Sequence, residues 1–456
     1  MDAVCSKNTS PRHNSGRNLQ NGCNAVNRNV SGFETNQDCA FLGAKGIHQL
    51  QTRLLRKHLK LCRKHSPYYR NLLEDFDFSD FQIGNLIKIP TTDKSILSEK
   101  NDLFVAVPED EIRDISFSSG TTGAACRITY TESDLDRLAY NDAIGFASAG
   151  IGRGDRVLLT CTIDRCFIAG LAYFMGVRRL GATAIRNGIN SLESHADIIA
   201  RLKPTSIVGV PSFMRHLGIF LKENKIDSRC VKRLICIGEP LRDENLETSA
   251  LGKQLLQAWS AQIFSTYASS EIVTSFTECS SQCGGHLPPD LAILEILDES
   301  GNPLPAGAIG EVTVTPLQVT GMPLIRFRTG DIGFMIDKPC RCGRFSPRIG
   351  PIIGRKAQML KIKGTTIFPT AFFTVLDSSP EIAEYYLEAS GDGLSDKVEI
   401  FVALKDRGIR LDQVAKRIQA KSRLSVPIRE LPVDAVRKNV FSTSRKPVRF
   451  FDLRKA

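Results

Sequence analysis

The sequence has no run of about 18 apolar residues, so we predict that no helix spans a membrane. Its N-terminal residues lack the short apolar core of a signal peptide, and we therefore expect a cytoplasmic protein that is not secreted. The 13 cysteines are odd in number, and a chain of 456 residues is long enough to fold without disulfides. This count predicts reduced thiols, some of which bind a metal.

Nucleic-acid-binding motifs are also missing, since the chain has no zinc-finger, RNA-recognition or helix-turn-helix pattern. The net charge of +11 is compatible with either a nucleic acid or small anionic ligands. Because the basic residues are dispersed, apart from one cluster near the C-terminus, we expect pockets for small anions. We expect neither a nucleic-acid partner nor a membrane contact, and the sequence does not indicate an oligomeric state.

The length of the chain predicts two or three domains. Residues 1–45 are rich in Asn, Ser and Arg and have few periodic apolar positions, so we predict a disordered tail there. From Ile47 to Leu73 apolar residues recur at helical spacing among Lys and Arg, which predicts an amphipathic helix.

Short apolar runs that end in turn residues predict buried strands in the middle of the chain: Arg156–Thr160, Ser206–Val210, Leu234–Ile237 and Gln262–Ser265. The segments between them are long enough for crossover helices, so we predict a mostly parallel α/β sheet. Ligands of such sheets lie beyond the carboxyl ends of the strands. Three polar segments follow these strands: Pro211-Ser212, Gly238-Glu239-Pro240 and Tyr267-Ala268-Ser269-Ser270-Glu271.

Two alternating segments, Ala292–Leu297 and Glu311–Thr315, predict a small β subdomain between about residues 290 and 335. A smaller unit is predicted to begin near Gly354 and to continue to the end. The fold class is therefore α/β, with mostly parallel sheets in a large N-terminal domain and a small α+β C-terminal domain.

A glycine-threonine loop, Ser118-Ser119-Gly120-Thr121-Thr122-Gly123, lies between two predicted strands. Glycines let backbone N–H groups converge and hydroxyls add donors, so such a loop suits a polyphosphate. It lacks the Lys-Ser/Thr pair of a Walker loop, and a Ser/Thr/Gly turn is also typical of an ordinary hairpin. The segment alone leaves both interpretations open.

The loop resembles the phosphate loop of the adenylate-forming superfamily, which contains acyl- and aryl-CoA synthetases, luciferases and peptide-synthetase adenylation domains. Further motifs follow in the order that this superfamily shows and resemble its phenylacetate-CoA ligase branch. They are IGEPL (237–241), YASSE (267–271), PLIRFRTGDIG (323–333), CRCGR (340–344), IIGRKAQMLKIKGTTIFP (352–369) and STSRKPVRFFDLR (442–454).

The resemblance implies a large domain over residues 46–355 and a mobile C-terminal lid over 356–456. It implies activation of a carboxylic acid with ATP and Mg²⁺ to an acyl-adenylate, followed by transfer to coenzyme A. The small-molecule acid is aryl or arylacetic by resemblance, and its pocket is expected near Phe167–Phe174 and Val210–Phe213. No residue there indicates which acid is bound.

For the nucleotide, the resemblance implies that residues 118–123 hold phosphates and that Gly238, Glu239 and Pro240 shape the adenine slot. Tyr267 would lie against the adenine, Ser270 would reach the α-phosphate, and Glu271 would hold Mg²⁺ and serve catalysis. On spacing alone, the Gly-Glu-Pro segment is only a turn. The alternative for Glu271 is a solvated loop acid.

Asp331 would accept hydrogen bonds from both ribose hydroxyls, and Arg355 would approach the ribose and phosphates. The alternative is a structural ion pair of Asp331 with Arg326 or Arg328. Lys446 would stabilise charge in the transition state, and the face containing Gly364 would admit coenzyme A after the lid rotates. Without the resemblance, a solvated basic tail is the favoured interpretation of the cluster around Lys446.

Five residues are candidates for the four ligand positions of a structural zinc: Cys279, Cys283, His286, Cys340 and Cys342. Short-range spacing favours Cys283 over Cys279, whereas the ligase relatives suggest Cys279, His286, Cys340 and Cys342. Unliganded cysteines in a turn are the alternative.

The sequence departs from the family pattern at four positions. The phosphate loop continues with Ala124-Ala125 where Lys is usual. Ala268 and Arg445 each stand where Gly is usual, and Ala357 stands at the interdomain hinge, where an acidic residue or lysine is usual. We expect slower adenylation but no loss of the fold. Two rival functions follow: transfer of the adenylate or acyl group to another acceptor, such as a carrier protein, or a nucleotide-binding homologue that has lost catalysis.

Overall fold

The computed structural model describes residues 33–118, 126–362, 365–391, 396–405, 411–422, 424–441 and 447–454. Its helices are α1 Ala44–His65, α2 Pro67–Leu72, α3 Lys94–Glu99, α4 Asn101–Phe104, α5 Glu132–Ser148, α6 Ile168–Arg179, α7 Leu192–Leu202, α8 Pro211–Glu223, α9 Ala250–Ala258, α10 Pro369–Asp377, α11 Leu411–Ser422 and α12 Val433–Val440. Within these ranges, no helix has the length and apolarity needed to cross a bilayer.

The strands are β1 Thr92–Asp93, β2 Asp114–Phe117, β3 Arg127–Tyr130, β4 Arg156–Leu159, β5 Thr183–Arg186, β6 Ser206–Gly209, β7 Arg233–Ile237, β8 Gln262–Ser269, β9 Thr274–Glu278, β10 Gly285–His286, β11 Ala292–Leu297, β12 Gly310–Pro316, β13 Phe327–Gly333, β14 Met335–Ile336, β15 Arg348–Ile349, β16 Gly354–Arg355, β17 Leu360–Ile362, β18 Thr365–Ile367, β19 Ile382–Ser390, β20 Lys397–Leu404, β21 Ile428–Glu430 and β22 Phe450–Asp452.

The largest sheet has nine strands in the order β14-β15-β10-β9-β8-β7-β6-β4-β5. Strands β5, β4, β6, β7 and β8 are parallel, with helices between them, as the apolar runs predict. Strand β8 is longer than predicted because its second half pairs antiparallel with β9. The carboxyl ends of β7 and β8, with their polar segments, therefore lie side by side.

Helix α5 packs against β9 and fixes its position. The helix begins with a capping box, in which the Thr131 hydroxyl accepts from the Asp134 N–H and the Asp134 carboxylate accepts from the Thr131 N–H. At Gly145 the contact is so close that a Cβ would lie 2.6 Å from Thr277 Oγ1. A larger residue at this glycine would displace the strand that follows the predicted catalytic loop.

The predicted β subdomain is a second sheet, in which β11 pairs with β12 and β12 with β13, all antiparallel. Strand β1 adds to β13 in parallel, and β16 pairs with β13 in antiparallel fashion. This arrangement brings the segments that contain residues 92 and 355 to strand β13, which contains residue 331.

The C-terminal residues form a four-stranded mixed sheet in the order β21-β20-β19-β22, together with helices α10 to α12. The sheet and two of these helices share a buried core that includes Phe372, Leu387, Ile400, Val402, Val414 and Ile418. A hydrogen bond of 2.8 Å from Gln254 Nε2 in α9 to the carbonyl of Asp377 joins this unit to the large sheet.

The helix predicted from Ile47 to Leu73 is present but divides into α1 and α2 at Pro67, which lacks an N–H and suits the first turn of a new helix. Residues 33–45 differ from the predicted disordered tail. Cys39 and Ala40 are buried, and the Ala40 carbonyl accepts from the Phe345 N–H at 2.7 Å. These contacts lie about 300 residues away in sequence, so local composition could not indicate them; residues 1–32 lie outside the described part.

Candidate functional site

Tyr267, Asp331 and Arg355 meet where the two large sheets approach each other. Tyr267 Oη donates to Asp331 Oδ2 at 3.0 Å, and the Arg355 guanidinium lies 3.4 Å from the same carboxylate. The second contact follows from register, because β13 and β16 place Asp331 directly opposite Arg355. The structure thus brings together three of the predicted nucleotide-site residues.

Burial raises the pKa of Tyr267 well above its usual value, and the negative charges of Asp331 and Glu271 contribute to the same shift. The phenol therefore remains a neutral hydrogen-bond donor.

Asp331 does not pair with Arg326 or Arg328, the alternative partners considered from sequence. Arg326 forms an ion pair with Glu295 at 3.1 Å, and Arg328 pairs with Glu311 at 2.6 Å. The Asp331 carboxylate remains beside Tyr267 and Arg355, where it can accept hydrogen bonds from a ligand.

Glu271 is buried just beyond the end of β8. Its carboxylate accepts from Ser269 Oγ at 2.9 Å and lies 3.3 Å from the Lys94 ammonium. The neighbouring Ser270 carbonyl faces Tyr130 Oη at 3.5 Å. Sequence reasoning missed Lys94, because no motif distinguishes it from the other lysines and its segment lies about 180 residues before Glu271.

Ser118 and Cys126 form the base of the glycine-threonine loop. The Cys126 N–H donates to Ser118 Oγ at 3.1 Å, and the Ser118 N–H donates to the Cys126 carbonyl at 2.9 Å. The predicted phosphate-binding residues between them, Ser119 to Gly123, lie outside the described residues, as do Lys446 and Gly364.

The Gly238-Glu239-Pro240 segment directly follows β7. Gly238 has a φ of 76°, a left-handed conformation that glycine adopts without strain, and the chain turns there. Glu239 Oε2 accepts from the Ser212 N–H at 2.8 Å, so this predicted segment is joined to the start of α8. Two polar segments that follow neighbouring strands are thereby held together.

Four of the five metal-ligand candidates form one cluster. The ligand atoms of Cys279, His286, Cys340 and Cys342 all lie within 4.8 Å of one another. Cys283 is not in this group, and its thiol donates to the Ser281 carbonyl at 3.0 Å. The short spacing of Cys283 to His286 is therefore a poor guide, because β9 and β10 pair and bring Cys279 back towards the histidine.

The cluster has the dimensions of a tetrahedral metal site. Cys279 Sγ and Cys340 Sγ are 3.7 Å apart, and Cys342 Sγ is 3.5 Å from His286 Nε2. Metal–sulfur bonds of about 2.3 Å at tetrahedral angles would separate two sulfurs by about 3.8 Å. These four residues could hold one ion without a large rearrangement.

Neighbouring groups orient the cluster. Ser346 Oγ lies 3.2 Å from His286 Nδ1, which leaves Nε2 directed at the thiols, and Arg344 Nη1 donates to Cys342 Sγ at 3.3 Å. Hydrogen bonds from the Cys279 and Cys340 thiols lower the pKa of Cys342. The hydrogen bonds with Cys340 and Cys342 also raise the pKa of Cys279, so the cluster stabilises a thiolate, the form that metals bind, at Cys342 and not at Cys279.

Comparison with known proteins gives a consistent result. Residues 61–321 match the family described as AMP-binding enzyme. A phenylacetate-coenzyme A ligase of Pseudomonas putida is 30% identical over 392 residues, which cover 84% of this chain and 87% of the relative. The corresponding ligase of Escherichia coli is 29% identical over 434 residues, covering 90% and 95%.

Solved structures show the same fold. A 2-hydroxyisobutyryl-CoA ligase in the postadenylation state matches with a TM-score of 0.81 at 20% identity, over 94% of this chain and 95% of that one. The same ligase in the thioesterification state matches at 0.66. An anthranilate CoA ligase matches at 0.55 and 19% identity over 76% and 71%. The chain belongs to the AMP-binding enzyme family, and within it to the branch that contains the phenylacetate-coenzyme A ligases.

Proposed function

We propose that the chain is an AMP-forming acid–coenzyme A ligase. A carboxylic acid attacks the α-phosphorus of ATP and gives acyl-AMP and pyrophosphate. The thiol of coenzyme A then attacks the acyl carbon and gives the thioester and AMP. The substrate class is an aryl or arylacetic acid, in line with the names of the curated relatives.

The observation that carries this proposal is the junction of Tyr267, Asp331 and Arg355 beside Glu271. An ionised carboxylate suits two ribose hydroxyls, and an aromatic ring beside it suits the adenine. Glu271 would hold Mg²⁺, which prefers one carboxylate together with phosphate oxygens. Ser270, the next residue back along the chain, would contact the α-phosphate.

Charge repulsion is the main barrier to the first step, since a carboxylate attacks an anionic phosphate. Lys446 would supply a cation there, and Mg²⁺ would neutralise the departing pyrophosphate.

We propose residues 46–355 as the large domain and residues 356–456 as the lid, which rotates between the two steps so that the face with Gly364 admits coenzyme A. This chain matches the postadenylation structure of the 2-hydroxyisobutyryl-CoA ligase better than the thioesterification structure of the same ligase. This difference supports the proposed rotation of the lid between two states.

The Cys/His cluster is proposed to hold a structural zinc. All four ligands would come from protein, so the ion would have no open position for a substrate. It would fasten the loop that carries Cys340 and Cys342 to β9 and β10, the strand pair that follows the catalytic segment.

Acid-dependent exchange of pyrophosphate into ATP tests the first step, with a panel of aryl, arylacetic and aliphatic acids. We expect exchange with at least one acid, and Lys446→Ala should reduce it by a factor of about 10² or more. Addition of coenzyme A, holo-carrier protein or neither then identifies the final acceptor through AMP release. Nucleotide binding without exchange for any acid would refute the ligase assignment and favour a homologue that has lost catalysis.

A further inference from the structure

Lys94 occupies a fixed position beside the nucleotide site. It begins α3 directly after β1, and Asp93 caps this helix by accepting from the Ile96 N–H at 2.9 Å. Strand β1 pairs in parallel with β13, the strand that carries Asp331. The backbone at Lys94 is therefore held by the same sheet that positions the ribose-binding carboxylate.

The same residue also touches the base of the glycine-threonine loop. Its carbonyl accepts from the Cys126 thiol at 3.7 Å, and Cys126 in turn pairs with Ser118 at the other end of the loop. Its ammonium lies 3.3 Å from Glu271 Oε1. One lysine thus joins the loop base to the carboxylate proposed to hold Mg²⁺.

The side chains of Lys94 and Glu271 differ in their exposure to solvent. The side chain of Glu271 is 9% exposed, whereas that of Lys94 is 27% exposed, so the cation lies on the more open side of the pair. In the loop itself, the sequence has Ala124-Ala125 where the family resemblance implies a lysine. A triphosphate with its Mg²⁺ on Glu271 would bring several anionic oxygens within reach of the Lys94 ammonium.

We propose that Lys94 is a phosphate-binding residue that supplies the cation missing from the loop. This inference rests on the proposed adenylation. Before the nucleotide binds, Lys94 neutralises Glu271. With Glu271 holding Mg²⁺, the Lys94 ammonium would be released to bind the β- and γ-phosphates. As the bond from the α-phosphorus to the bridging oxygen breaks, its electron pair moves to pyrophosphate. Lys94 stabilises that charge and keeps its proton.

Three variants test this role: Lys94→Met, Lys94→Arg, and Lys100→Met as a control at the exposed lysine that follows α3. Lys94→Met should lower acid-dependent ATP–pyrophosphate exchange by about 10²–10³-fold, the usual effect of losing one charge-stabilising donor. It should weaken binding of Mg·pyrophosphate but not of AMP, which lacks the β- and γ-phosphates. Lys94→Arg should recover part of the exchange, and Lys100→Met should match the wild type.

Conversion of supplied acyl-adenylate to the thioester separates this role from a structural one. Lys94→Met should keep that rate within about threefold, because pyrophosphate has already left. Equal exchange in Lys94→Met and wild type would overturn the inference, as would equal losses of AMP binding, pyrophosphate binding and thioester formation. A wild-type protein that shows no exchange with any acid would instead refute the proposed function.

Discussion

Cys279 Sγ and Cys340 Sγ lie 3.7 Å apart, although 61 residues separate them in the chain. Cys279 follows β9, and Cys340 lies in the loop between β14 and β15. The nine-stranded sheet brings the two together, since β10 pairs with β9 on one side and with β15 on the other. The cluster therefore adds side-chain contacts between the loop after β14 and the β9–β10 pair, in addition to the backbone hydrogen bond from Leu287 to Pro347.

Loss of one cluster thiol should remove the metal. We expect the wild type to bind one zinc per chain, and Cys340→Ser to bind none at micromolar free zinc. The free energy of unfolding should fall by roughly 3 kcal/mol because the ion stabilises only the folded chain. Elemental analysis and urea unfolding measure the two effects.

Cys283→Ser is the matched control for that experiment, because Cys283 lies in the same segment but outside the cluster. It should keep the full zinc content and unfold at the same urea concentration as the wild type. A Cys340→Ser protein with normal zinc content, or a wild type that binds none after reconstitution, would contradict the assignment.

Replacement of Asp331 by Asn should weaken nucleotide binding through the ribose. A charge-assisted hydrogen bond contributes about 1.5–3 kcal/mol, so the affinity for AMP should fall by about 10–150-fold. The wild type should discriminate strongly against 2′- and 3′-deoxy-AMP, and Asp331→Asn should discriminate little. Calorimetry with the three nucleotides measures this difference.

The exposed Asp110→Asn serves as the control for nucleotide binding and should behave as the wild type. If Asp331→Asn lost affinity equally for AMP and for both deoxynucleotides, the carboxylate would act elsewhere, most simply by holding Tyr267 and Arg355.

Glu271→Gln should impair the use of Mg²⁺. A neutral amide is a weaker ligand for a hard cation, so the Mg²⁺ concentration for half-maximal ATP–pyrophosphate exchange should rise by about tenfold or more. The maximal rate should also fall, whereas AMP should bind as before without metal. An unchanged Mg²⁺ requirement would show that another group holds the ion.

Much of the fold could be predicted because apolar runs bounded by turn residues mark buried parallel strands. Contacts between segments that are far apart in the sequence could not be predicted in this way. Arg328 precedes Asp331 by only three residues, but the pairing of β12 with β13 shifts register between them and Gly330 has a φ of 77°, and Arg328 pairs with Glu311 instead. Arg355 is instead brought opposite Asp331 by the pairing of β13 with β16, which no local pattern indicates.

The metal candidates and Lys94 are further cases in which local sequence patterns could not indicate a contact between distant segments. Spacing favoured Cys283, yet strand pairing selects Cys279, which the resemblance had suggested. The sequence did not indicate Lys94, because its partner Glu271 follows β8, about 180 residues further along the chain. From the missing loop lysine we expected only slower adenylation, because nothing in the sequence distinguishes a replacement among the 60 Lys and Arg residues.

A buried acid in α5 gives a prediction about pH. Asp142 accepts from Ser275 Oγ at 2.8 Å, and burial raises its pKa from 3.8 to about 7. The folded chain therefore binds this proton more tightly than the unfolded chain between about pH 4 and 7. Unfolding releases the proton in that window, so this group's contribution to stability falls as the pH rises.

Asp142→Asn keeps an acceptor for Ser275 but cannot ionise. Relative to this variant, the wild type should lose free energy of unfolding between pH 4 and 8, by on the order of 4 kcal/mol at most. Urea unfolding of both proteins across this range measures the difference, with Glu132→Gln as the control because its carboxyl is exposed on the same helix. Parallel pH profiles for wild type and Asp142→Asn would mean that the buried carboxyl titrates alike in both states, and that Ser275 or water compensates its charge.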